Sequence, residues 1–140
     1  KLKGTVVLNI GKTPGAGLDF YNRLQNTLSL TRVVARPDSM EAIRKRLLGS
    51  HRVIVVVTSD DYKKYKTMLD SLPADLPVVY VFLMPLKSML DMEGYWKKAA
   101  AVVLGHSDES VIQEYVADVL VGKAVADGLC RGCRRFVQTG

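Results

Sequence analysis

Residues with chemical potential are few and widely spaced. Gly11, Lys12, Thr13, Gly15 and Gly17 form the loop GKTPGAG, which follows an apolar run and has the composition of a phosphate-binding turn. A Walker A loop needs a glycine five positions before Gly11, where Val6 stands. A dinucleotide fingerprint needs a third glycine beyond Gly15 and Gly17, and none follows. Backbone amides at the start of a helix could still hold an anion, with Lys12 beside them. A plain flexible turn is the competing reading. Asp60 and Asp61 are the acidic pair in a comparable position, fitting either helix capping or a general-base or metal role. No Ser–His–Asp order, paired glycosidase-type carboxylates or HExxH appears, so no catalytic residue is assigned. Cys130 and Cys133 make a CRGC near the C-terminus, two ligands where structural zinc wants about four. They read as free thiols on a basic tail, and no metal or other cofactor is expected.

The elements that must position these groups are clearer. Thr5–Ile10, Thr31–Ala35, His51–Thr58, Leu76–Met84 and Ala101–Leu104 are apolar, β-branched runs of strand length. HRVIVVVT is the strongest, and its uninterrupted pattern suits a central parallel strand covered on both faces. Between the strands lie helical spacings. Leu18, Tyr21, Leu24 and Leu28 form one stripe, and Met40, Ile43 and Leu47 another behind an Asp38–Glu41 capping pair. Tyr62, Tyr65, Leu69 and Leu72 follow a cap at Asp60 or Asp61. Lys87–Lys98 is mixed but helix-like. A final helix, capped at Ser107, is predicted to bury Val111, Ile112, Tyr115, Val116, Val119 and Leu120.

Five alternations of strand and helix with right-handed crossovers predict a doubly wound parallel five-stranded sheet in three α/β/α layers. The flavodoxin-like order 2-1-3-4-5 is expected. Residues 1–122 form this single domain, and 123–140 a C-terminal basic tail. Ligands of such sheets sit beyond the carboxyl ends of the strands. That rim comprises Gly11–Gly17, Arg36–Ser39, Thr58–Asp61, Met84–Lys87 and Gly105–Asp108.

The 140 residues carry a net charge of +6, which favours acidic partners in general. The basic residues are scattered, and solvated helix faces account for most of them ahead of a nucleic-acid surface. The apolar stretches are shorter than a membrane helix requires. A cytoplasmic protein without membrane contact is expected.

Two family resemblances add to this. Ser50–Leu72, SHRVIVVVTSDDYKKYKTMLDSL, resembles the strand and following helix of TIR (Toll/interleukin-1 receptor) domains, with Ser59, Tyr62, Leu69 and Leu72 in matching places. GYWKKAA at Gly94–Ala100 and the final helix resemble later parts of that family. Catalytic members cleave NAD⁺ with a glutamate whose position here is Ser71, and Thr67 stands at the family's tryptophan. A serine cannot supply that carboxylate. The resemblance therefore implies an adaptor or scaffold role, through a protein partner or self-association. Receiver domains share the alternating pattern, but Asn9–Ile10 and Thr58 stand where receivers carry acids, implying a pseudo-receiver. Arg44, Arg46, Tyr62, Tyr65 and Trp96 are the candidate interaction residues, because Arg and aromatics carry interface energy when exposed. Core packing is the competing reading for the three aromatics. A nucleotide- or phosphate-binding enzyme built on the Gly-rich loop is the rival function, and a basic nucleic-acid module a third.

Overall fold

The computed structural model describes residues 4–85, 99, 101–105 and 107–121, together with the backbone of 133–137. Strands β1 (Thr5–Ile10), β2 (Leu30–Val34), β3 (Arg52–Val57), β4 (Val78–Leu83) and β5 (Ala101–Gly105) pair in parallel in the order 2-1-3-4-5. The expected flavodoxin-like fold is therefore the observed one, an architecture shared by TIR and receiver domains. A sixth strand, β6 (Cys133–Val137), lies antiparallel on β5. It falls within the segment that sequence reasoning treated as a tail.

Helix α1 (Leu18–Leu24) and the last helix, α4 (Ser110–Leu120), cover one face of the sheet; α2 (Met40–Leu48) and α3 (Lys66–Asp70) cover the other. Alternate residues of each central strand feed the two cores. Val53, Val55 and Val57 meet Ile43, Leu47, Tyr62 and Tyr65, while Ile54 and Val56 meet Phe20, Leu24 and Val116. Both faces of β3 and β4 are thus dry. Every residue of β4 is buried, which explains why these strands read as continuous apolar runs.

Three local expectations are corrected. Asp38 does not cap α2, because Pro37 starts a 3₁₀ turn (Pro37–Ser39) and draws Asp38 inside it. Neither Asp60 nor Asp61 caps the next helix. Ser59 does so, its hydroxyl accepting from the Asp61 amide at 3.2 Å, and residues Asp60–Tyr65 wind as 3₁₀ before α3 begins. In α4, Val111 is 68% exposed, and Gln113 is buried in its stead. Ile112 and Val116, one turn apart, take the sheet side, and Val111, about 100° round the helix from Ile112, falls on the solvent side. The helix expected over Lys87–Lys98 lies outside the described residues.

Candidate functional site

The carboxyl ends of β1 and β3 mark the point where the crossovers diverge to opposite faces, the usual ligand crevice of this architecture. Asn9, on β1, is 3% exposed, and its side-chain amide donates to the Ala16 carbonyl. This ties the loop 11–17 down over the strand ends. From β2, the Arg32 guanidinium donates to the Pro14 carbonyl at 2.6 Å and the Ala16 carbonyl at 3.3 Å. Within the loop, the Ala16 amide donates to the Thr13 carbonyl at 3.1 Å and the Leu18 amide to the Gly15 carbonyl at 3.1 Å. Both amides, which a phosphate cradle would point outward, are turned back onto the loop itself.

Glycine is required at two places in this closure. Gly17 has φ +78°, and a Cβ there would stand 2.6 Å from Asn9 Nδ2 and 3.1 Å from Val56 Cγ1. Gly11 is pressed against the Thr58 hydroxyl and the Ala16 methyl. Thr58 in turn bonds the Ile10 carbonyl through its amide at 2.9 Å and its hydroxyl at 3.2 Å. Lys12 and Asp60 then face one another at 3.9 Å across the mouth. The second acid, Asp61, faces Lys64 at 3.8 Å. Gly11, Lys12, Thr13, Gly17 and Asp60 stand at one end of the sheet, with the Lys12 ammonium turned toward the Asp60 carboxylate. A Cβ at Gly15 would meet only open space, so the loop does not require glycine there.

Behind the crevice, Gln113 joins helix α1 to the segment that leads into α4. Its Oε1 accepts from the Phe20 amide at 2.9 Å, and its Nε2 donates to the Asp108 carbonyl at 2.6 Å. A glutamine within an otherwise apolar stripe was the available signal for this buried bridge.

The interaction candidates separate sharply. Tyr62 and Tyr65 are 2% and 3% exposed and belong to the core, so neither offers a surface contact. Burial, with Asp61 and Asp38 nearby, raises the Tyr65 phenol above its usual pKa. Trp96 lies outside the described residues. Arg44 donates to the Ser71 hydroxyl at 3.0 Å, and that hydroxyl donates to the Met68 carbonyl at 2.6 Å. Ser71 therefore joins α2 to α3. Arg46 is exposed and lines a recess of about 260 Å³ with Thr31, Lys45, Gly49 and Ser50. A neighbouring recess of about 480 Å³ shares Ser50 and is lined by Leu48, His51, Pro73, Leu76 and Pro77. Both lie at the amino ends of the strands, opposite the expected rim. Among the described residues, no group of three or more His, Cys, Asp and Glu side chains is placed to hold a metal ion. No described helix is long and apolar enough to cross a membrane.

No family model matches this sequence, and no curated protein matches it. Among solved structures, the chain is similar to a crystal structure of drICE, at 12% identity and a TM-score of 0.43 over 91% of this chain and 75% of that one.

Proposed function

We propose that this chain is a non-catalytic protein-interaction module on a flavodoxin-like scaffold, of the kind the TIR resemblance implies. The observation that carries the reading is the closure of the switch-point crevice by the chain's own groups. Asn9 and Arg32 hold the loop 11–17 over the place where such sheets take substrate. Two described recesses lie instead at the opposite end, one of them beside the exposed Arg46.

Incubation with NAD⁺ and other nucleotides is expected to leave them unchanged, with product analysis as the check. Turnover that disappears in an Asp61→Ala variant would instead establish the rival enzyme built on the Gly-rich loop. A concentration series by light scattering then separates self-association from binding to another protein. A strict monomer that captures no polypeptide overturns the interaction reading.

A further inference from the structure

The amino end of the sheet sets exposed cations beside two recesses. Arg44, Lys45 and Arg46 are consecutive in the last turns of α2. Arg44 is engaged with Ser71, but Lys45 and Arg46 are exposed, and no carboxylate pairs with either among the described residues. The α2 carbonyls beneath them are satisfied locally. The Gly49 amide donates to the Lys45 carbonyl at 3.1 Å, and the Ser50 hydroxyl to the Leu47 carbonyl at 2.6 Å. The two side-chain charges are therefore left facing the smaller recess without a local acceptor of comparable strength.

The larger recess continues from Ser50 with a different lining. Leu48, at 38% exposure, lines it with Pro73, Leu76 and Pro77, and Ser50, His51 and Asp75 complete a mixed apolar and polar lining. Cationic and apolar subsites are thus contiguous. Resting on the interaction-module reading above, we infer that this double recess docks an acidic, extended segment of a partner protein. Its carboxylates meet Lys45 and Arg46, and an apolar side chain next along the segment enters the Leu48–Leu76 recess. Charge complementarity selects such a segment, and its order follows from Asp75, which repels a second acidic stretch on the apolar side.

Two other occupants fit less well. A nucleic acid would extend its regular phosphates onto Asp75, and no described Phe, Tyr or Trp lines either recess to stack a base. A second copy brought to this end by a two-fold axis would set Lys45 and Arg46 against their own counterparts, and these like charges repel.

The test is selection of displayed random peptides, each of about twelve residues, on the immobilised full chain, followed by titration of the best synthetic peptide. Enrichment of adjacent Asp or Glu residues followed by an apolar residue is expected. Affinity should fall about tenfold in Arg46→Glu and again in Lys45→Glu, weaken with rising salt, fall in Leu48→Asp, and be retained in Arg46→Lys. Far-UV circular dichroism checks that each variant is folded. Failure to enrich any peptide, or binding unchanged in Arg46→Glu, overturns the inference. So does a single-stranded oligonucleotide that binds more tightly than the peptide, or self-association abolished by Arg46→Glu. Enriched peptides that lack acids and ignore Arg46→Glu would remove this docking mode while leaving the interaction module standing.

Discussion

At the carboxyl end of the sheet, polar side chains reach groups of the chain itself: the Asn9 amide Nδ2 to Ala16, Arg32 to Pro14 and Ala16, Lys12 to Asp60, Asp61 to Lys64, with Asn9 Oδ1 and Arg32 Nε left without a partner among the described residues. At the amino end, Lys45 and Arg46 border open recesses and have no carboxylate among the described residues. The same α/β frame thus has one end organised for internal cohesion and the other for contact. The difference shows that position in a doubly wound sheet does not by itself locate function. It also gives opposite expectations for substitutions at the two ends, with stability changing at the first and binding at the second.

The largest effect is expected from Asn9→Asp, which places an acid where receiver domains carry one. The carboxylate loses the amide donor to Ala16 and is buried against a carbonyl oxygen, costing about 3 kcal/mol or more at neutral pH. Denaturant titration should show the loss shrinking on acidification, as protonation restores a donor. A variant as stable as the parent would break the picture of a closed crevice. Gly17→Ala follows, at about 3 kcal/mol, because it combines positive φ with a Cβ pressed into Asn9. Gln113→Ala is expected to cost about 2 kcal/mol by leaving the Phe20 amide and Asp108 carbonyl without their partner. Thermal unfolding of the two variants checks this order.

How far these features could be read from residues alone follows from the type of force involved. The strands and their order were readable because Val53–Val57 and Val78–Leu83 are buried on both faces, and burial leaves a direct compositional trace. The crevice was readable as a location but not as a closed one. Asn9 appeared only as a missing acid, and its role depends on Ala16 arriving across the loop, a contact between main chain and side chain with no sequence period. Arg32 was likewise invisible, since its partners are carbonyls. Caps were misplaced for a related reason: Asp38 and Asp60 have the right chemistry, but Pro37 and Ser59 set the backbone first. The strand Cys133–Val137 was missed because CRRFV is short and carries two arginines, a pattern compatible with an edge strand as well as with a tail. The amino-end recesses depend on where three loops meet, and only Arg46 among their lining residues was singled out beforehand.

A smaller effect concerns the face that joins the two ends. Tyr65 lies in the core between α2 and α3, with its phenol pKa raised chiefly by burial and further by Asp61 and Asp38. A phenol whose folded pKa exceeds the unfolded value favours the native state while it stays neutral. That contribution is fully present below the unfolded value near pH 10 and is lost as pH rises through the folded value. Stability should therefore decline above about pH 10, and Tyr65→Phe should flatten that decline. An unchanged alkaline profile in the variant would assign the decline to other groups.

The smallest expected change in stability is also the one that separates the two ends most clearly. Lys45→Glu and Arg46→Glu alter exposed side chains that have no carboxylate partner to lose among the described residues, so each should shift unfolding by no more than ~0.5 kcal/mol. Reversing a charge near a helix C-terminus acts against the helix dipole and sets the sign as slightly destabilising. The Gly49 and Ser50 hydrogen bonds onto the α2 carbonyls limit its size, since the negative end of the helix is already capped. Parallel denaturant and peptide titrations of the same variant then give two numbers whose ratio is diagnostic. Lost binding with retained stability assigns the amino end to recognition, whereas an equal loss of both would mean that Lys45 and Arg46 serve the fold in the same way as Asn9 and Arg32.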